Sequence, residues 1–203
     1  MWEKLKILVW VWCILCGSSF GGFTVAKNRL EVTSPESMKG FYDSSIGSFG
    51  VPKLGGTMAG TVVYPKSNRK ACKSFGDFGL SFNSNSGGPP TFLLADRGDC
   101  FFSLKAWNAQ NAGVAAILIA DDRCEQFFNM DFPEEYYPGS EYIQEIVIPS
   151  AFIMKALGDD MKRELSDGRK VNVTLDWTGA LPHSDLVQNL GEDMDVIDER
   201  ARK

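Results

Sequence analysis

The stretch of this chain whose residue types and spacing best suit chemistry is Arg97-Gly98-Asp99-Cys100-Phe101-Phe102. It follows the apolar run Thr91 to Ala95 and opens a helical segment, Ser103 to Ala112. A strand that hands a charged, glycine-containing turn to a helix start presents side chains and backbone N–H groups together at a sheet edge. That is an arrangement for binding, because no catalytic machinery accompanies it. Read alone, the turn divides between two roles. In one, Arg97 pairs with a loop carboxylate and Asp99 caps the helix. In the other, the same groups meet a ligand, and an Arg97→Ala change then costs less than about 1 kcal/mol of stability, as at an ordinary surface site.

The rest of the chain argues against an enzyme. His183 is the single histidine, which removes any two-histidine metal motif and leaves no Ser–His–Asp set; a Cys124–His183 pair would be its only thiol dyad. Gly55-Gly56 lacks the Lys-Ser/Thr that completes a phosphate loop and reads as plain loop. Residues 121–142 mix the carboxylates Asp121, Asp122, Asp131, Glu134 and Glu135 with Phe127, Phe128, Phe132, Tyr136 and Tyr137. Their spacing lacks the alternating oxygen ligands and glycine of an EF-hand loop. Aromatics beside carboxylates suit a basic or apolar peptide better than a small metabolite. No metal and no cofactor is expected.

With 203 residues, 44% hydrophobic and 23% charged, the chain has the makings of one globular domain with a core. A formal net charge of −5 argues against nucleic acid or anionic lipid as a partner. Residues 1–21 read as a secretory signal: Lys4 and Lys6, the ten apolar residues Ile7 to Cys16, then Ser19-Phe20-Gly21 before the cut. Ten apolar residues fall short of the roughly 20 that span a bilayer. Cys72, Cys100 and Cys124 remain after cleavage, so an oxidising compartment leaves one bridge and one spare thiol. Three pairings are open to the sequence. Cys72–Cys100 is favoured because it would tie the Lys70-Ala71-Cys72-Lys73 loop to the turn, stabilising by on the order of 3 kcal/mol. Asn172-Val173-Thr174 is a glycosylation sequon.

The elements that must position the turn are legible in part. Phe92-Leu93-Leu94, the helix Ser103 to Ala112 ended by Gly113, and the continuously apolar Val114 to Ala120 predict a parallel pair with a helical crossover. Ala106, Ala109 and Gly113 give that helix a small-residue face. Residues 23–33 predict a short strand (Phe23, Val25) running into a polar turn, Thr57 to Tyr64 a strand ended by Pro65, and residues 40–57 an irregular glycine-rich stretch. Ile146 to Ile153 predicts a strand broken by Pro149, at an edge or a bulge. Met154, Leu157, Met161 and Leu165 mark a second helix ending at Gly168. Val171, Val173, Leu175 and Trp177 alternate as a half-buried strand.

Arg97-Gly98-x-Cys100-x-Phe102, Lys105-Ala106 and Ala112-Gly113 resemble the protease-associated (PA) domain. Further matches narrow this to the luminal N-terminal PA domain of plant vacuolar-sorting receptors. They are Val32-Thr33-Ser34-Pro35-Glu36-Ser37, Phe49-Gly50-Val51-Pro52, Gly55-Gly56-Thr57, Val63-Tyr64-Pro65-Lys66, Ala71-Cys72-Lys73-Ser74-Phe75, Met130-Asp131-x-Pro133-Glu134-Glu135, Ile148-Pro149-Ser150-Ala151 and Leu175-Asp176-Trp177. The resemblance runs from about Phe23 to Asp185. It departs from the family's pattern at Ala26, Asn129, Phe132 and Cys124, and Glu145-Ile146-Val147 stands where the family commonly has a sequon.

The resemblance implies a noncatalytic α/β domain of PA fold: a sandwich- or barrel-like mixed sheet with a strand–helix–strand crossover and two main helices. It implies a PA domain over residues 22–185, with its core at about 57–177; the 186–203 tail diverges from the family and, polar and without a core pattern, is expected to be disordered. The resemblance also implies binding of vacuolar cargo through Asn-Pro-Ile-Arg-type sorting peptides in the Golgi and prevacuolar lumen. Cargo contacts carried onto this chain are Arg97, Gly98, Asp99 and Cys100, then Lys27 and Asn28, then Met130, Asp131 and Pro133. Family receptors are single-pass membrane proteins with EGF-like repeats, so the sequence is expected to be a truncated, soluble luminal or secreted form. The rival expectation is an accessory PA domain with a structural role, as in a membrane RING ligase or a protease.

Overall fold

The computed structural model describes residues 27–47, 49–50, 56–83, 87–124, 130, 139 and 141–178. The secretory signal, residues 51–55 of the stretch read as irregular, most of the acidic-aromatic loop and the 186–203 tail lie outside the described residues. Seven strands close into a barrel: β1 (Lys27–Ser34), β2 (Gly40–Ile46), β3 (Thr57–Val63), β4 (Thr91–Asp96), β5 (Ala116–Ala120), β6 (Ser150–Ile153) and β7 (Asn172–Asp176). Around it the order is β1-β2-β6-β5-β4-β3-β7. Neighbours β3/β4, β4/β5 and β5/β6 are parallel, and the remaining pairs are antiparallel. Helix α1 (Phe102–Asn111) makes the crossover from β4 to β5, and α2 (Lys155–Ser166) lies between β6 and β7.

Two cores explain the two kinds of strand. Leu30, Val32, Val62, Phe92, Leu94, Leu118, Ile153, Val173 and Leu175 fill one cluster, joined by Leu157 and Met161 of α2. Leu93, Ala95, Ile117, Ile119 and Phe152 belong to a second cluster, with Ala106 and Ala109 of α1. Strands β4 to β6 therefore alternate between two apolar environments, and Phe92–Ala95, Ala116–Ala120 and Ala151–Ile153 are apolar without interruption. Strand β7 is buried on one face only: Val171, Val173, Leu175 and Trp177 are enclosed, and the residues between them are half-buried. Gly158 fixes how closely α2 approaches the barrel, since a Cβ there would stand 2.4 Å from the Ala120 Cβ.

Two expectations need correction. The stretch predicted irregular from residue 40 begins with a strand, β2, which pairs with β1 and β6. Its buried end carries Ser44 and Ser45, both fully enclosed, so no apolar periodicity announced it. In the second case β6 begins at Ser150 rather than Ile146, and it is internal, flanked by β5 and β2. Pro149, which has no N–H to give, ends just before the strand. Its carbonyl still accepts from Ile117 N at 3.1 Å. The residues ahead of it form a 3-10 turn, Glu141–Glu145, and send Ile146 and Ile148 into the second cluster.

Candidate functional site: the turn between β4 and α1

The Arg97–Cys100 turn leaves the barrel at the C-terminal end of β4, and local backbone bonds set its exit. Asp96 N donates to Arg69 O and Arg97 N to Ala120 O, each at 2.9 Å. Gly98 (φ +101°) and Asp99 (φ +69°) then reverse the chain in the left-handed region. Glycine adopts this region readily, and Asp tolerates it better than most residues. Cys100 closes the turn through a disulfide to Cys72, with the Cα atoms 5.8 Å apart. Phe102 anchors the far side edge-on against Phe152, ring centroids 5.9 Å apart.

Beneath the turn lies Lys105, in the second turn of α1, with no solvent exposure. Its Nζ donates to Gly98 O at 2.7 Å and to Lys70 O at 2.5 Å, and lies 3.5 Å from Cys72 Sγ. One ammonium thus ties the turn to the neighbouring Lys70–Cys72 loop. Asn108 Nδ2 adds a bond to Ala71 O at 2.8 Å. Burial disfavours the charged form of Lys105 and lowers its pKa from 10.5 to about 8, while the Asp99 charge resists the change. Above the turn, Lys70 Nζ meets Asp99 Oδ1 at 2.7 Å. That hydrogen bond holds the Asp99 carboxyl below its ordinary range. Both side chains are largely exposed, so the pair adds little stability.

Arg97 realises one half of the structural role considered from sequence. Its Nη1 donates to Asp121 Oδ1 at 2.8 Å, with side-chain exposures of 23% and 0%. Asp121 Oδ2 is enclosed and has no hydrogen-bond partner among the described residues. Arg97 is therefore largely sunk beside a buried carboxylate, and its removal is expected to cost more than an ordinary surface change. The other half of that role fails. Asp99 does not cap α1; the N-cap is Phe101, which supplies no side-chain bond, and no acidic residue stands in the first turn. The positive φ at Asp99 and its bond to Lys70 direct it elsewhere.

The remaining predicted contacts are unevenly placed. Lys27 opens β1, and its row runs through Ser45, Phe152, Ile119 and Ala95, one residue short of Asp96. Asn28 follows one row on, paired with Ser44. Met130 is fully buried in the second cluster and bridges Gly47, so its side chain anchors its loop. Asp131 and Pro133 lie outside the described residues. Asn172 stands on the half-buried face of β7, its Oδ1 accepting from Thr61 Oγ1 at 2.9 Å. Cys124 is an exposed free thiol. The sequence reading missed the part played by Lys105. A lone lysine among Ala106, Ala109 and the aromatics of α1 was the available signal.

A closed mixed barrel, a crossover helix and a disulfide-braced turn define a class, and comparison agrees with it. The family described as the PA domain matches residues 58–161, and the chain belongs to that family. Within it, the chain is similar to vacuolar-sorting receptors. It is 53% identical over 179 residues to vacuolar-sorting receptor 2 of Arabidopsis thaliana, which covers 88% of this chain and 28% of that protein. Identity is 57% over 163 residues with vacuolar-sorting receptor 3 of the same plant (80% and 26% covered). With vacuolar-sorting receptor 1 of Pisum sativum it is 52% over 182 residues (90% and 29%). The chain thus spans little more than a quarter of the length of these relatives. An aminopeptidase from Aneurinibacillus sp. strain AM-1 shares the fold, with TM-score 0.51 and 17% identity over 77% of this chain and 31% of that one. Among the described residues, no helix is long and apolar enough to cross a membrane.

Proposed function

We propose that this domain is a noncatalytic peptide reader of the secretory-pathway lumen, binding vacuolar cargo through Asn-Pro-Ile-Arg-type sorting peptides. The observation that carries this reading is the mounting of the Arg97–Cys100 turn. It is fixed from below by Lys105, from the side by Cys72 and from behind by Asp121, and it still presents Asp99 and Phe101 to solvent. A loop held before its ligand arrives loses little entropy on binding. Backbone N–H groups about Asp99 and Cys100 donate to peptide carbonyls or carboxylates, with Arg97 as the charged contact. Lys27, Asn28, Met130, Asp131 and Pro133 complete the surface, the buried Met130 through its backbone. The similarity to vacuolar-sorting receptors supports cargo as the ligand and the Golgi and prevacuolar lumen as the compartment. Asn172 carries a glycan on the outer barrel face; a mobility shift on glycosidase treatment, absent in Asn172→Gln, checks it.

Calorimetric titration of the chain with an Asn-Pro-Ile-Arg peptide and a scrambled control tests the reading. Binding to the sorting peptide alone is expected, reduced about tenfold in Asp99→Ala and in Phe101→Ala, a change of about 1.4 kcal/mol. Equal binding of both peptides, or full binding by both variants, would reject it.

A further inference from the structure

Away from the turn, a groove of 610 Å³ runs between the end of β3 and α2, lined by Tyr64, Pro65, Lys66, Arg69, Lys162 and Leu165 among others. Its charge is out of character for a chain of net charge −5. The Tyr64 ring lies between two cations, Arg69 with its guanidinium carbon 5.4 Å and Lys162 with its Nζ 5.6 Å from the centroid. Tyr64 Oη donates to Asp96 Oδ2 at 2.7 Å, and Lys162 Nζ lies 2.6 Å from Asp96 Oδ1, so the floor is braced by one shared carboxylate. Lys162 is thereby neutralised. Lys66 and Arg69 are exposed and have no carboxylate partner among the described residues. Two uncompensated cations above an aromatic and aliphatic floor suit an acidic segment with apolar residues between its charges.

The chain itself contains one. Glu192-Asp193-Met194-Asp195-Val196-Ile197-Asp198-Glu199 carries five carboxylates interleaved with three apolar residues. We propose that the Tyr64–Lys66–Arg69 groove is the docking site of this segment within the same molecule. The connection is long enough. Strand β7 ends with Asp176 beside Thr57, at the far end of β3 from the groove. Running the length of β3 takes about 20 Å. The fourteen residues from 179 to 192 reach up to about 46 Å when extended. Tethering at that length holds the segment at an effective concentration near the millimolar range, so modest charge pairing is enough to keep it seated. Carboxylates of the segment pair with Lys66 and Arg69, and Val196 and Ile197 lie against Tyr64 and Leu165.

Zero-length carbodiimide coupling of the full chain, read by peptide mass mapping on a mixture of ¹⁴N- and ¹⁵N-labelled protein, tests this. The expected product joins Lys66 or Lys162 to Asp193, Asp195 or Asp198 within one molecule. It falls about fivefold or more when salt rises from about 20 mM to about 500 mM, and likewise in Lys66→Glu/Arg69→Glu. Coupling of Lys155 to Asp159, neighbours on α2, reports that each variant is folded. Tail couplings spread evenly over Lys39, Lys73 and Lys155 would overturn the proposal. So would mixed-isotope products, which mean a second copy, Glu134 or Glu135 in place of the tail, or a yield unchanged by the charge reversal in folded protein.

Discussion

Arg97 Nη1 donates to Asp121 Oδ1 at 2.8 Å, and the aspartate it meets has no exposed side-chain surface. The most conspicuous charged residue of the candidate binding turn is thus also the counter-ion of a buried carboxylate. Removing one partner of such a pair leaves the other charge enclosed and uncompensated. Arg97→Ala is expected to lose about 3 kcal/mol of stability, part of which returns in Arg97→Ala/Asp121→Asn. Urea unfolding checks it. A single-variant loss under about 1 kcal/mol would return Arg97 to the ordinary surface class.

Lys105 gives the fold a pH dependence of definite sign. Its folded pKa is about 8 against 10.5 for the free side chain. Below about pH 8 both states carry the proton; between there and about 10.5 the unfolded chain holds a proton the folded chain has released. Stability contributed at this site therefore rises with pH across that window. Lys105→Arg, charged throughout, lacks the rise. The difference in unfolding free energy between wild type and variant should grow from pH 8 to 10.5, and a flat difference would count against a neutral buried amine.

The Cys72–Cys100 disulfide closes a sequence separation of 28 residues. Replacing both cysteines with serine is expected to cost about 3 kcal/mol, chiefly by freeing the unfolded chain. Peptide affinity should fall as well, because the turn loses its lateral tie. Denaturant curves of oxidised wild type and the double variant measure the first effect; unchanged titration of the sorting peptide would disconnect the second.

Gly158 is the contact point of α2 on β5. A Cβ 2.4 Å from that of Ala120 cannot be relieved by rotating a side chain. Gly158→Ala should cost about 1–3 kcal/mol, although alanine is the better helix former. A thermal midpoint at or above that of wild type would show that the helix shifts freely.

How much was legible in the sequence follows from which signals are local. The crossover from β4 through α1 to β5 was plain, since doubly buried strands are apolar without interruption and the helix has a small-residue face. The alternation of Val171, Val173, Leu175 and Trp177 disclosed β7 equally well. Strand β2 was hidden because Ser44 and Ser45 occupy its buried positions, and only pairing across the barrel makes them strand residues. Within the site, the turn and its cysteines could be read from spacing. The Arg97–Asp121 pair and the Lys105 ties depend on neighbours 24 and 35 positions away, a relationship set by the barrel's closure. Asp99 illustrates the limit most clearly: Asp before a helix is an ordinary cap, yet its left-handed backbone and Lys70 take it out of that role.

The placement of Lys105 has a consequence for how such a domain can diversify. Because the turn is clamped from its inner side, Phe101 carries little responsibility for its shape, while Asp99 answers only for its left-handed backbone. A binding protein built this way separates the letters it displays from the frame that holds them. Its recognition can be rewritten by single surface substitutions, each read out without first repairing the fold.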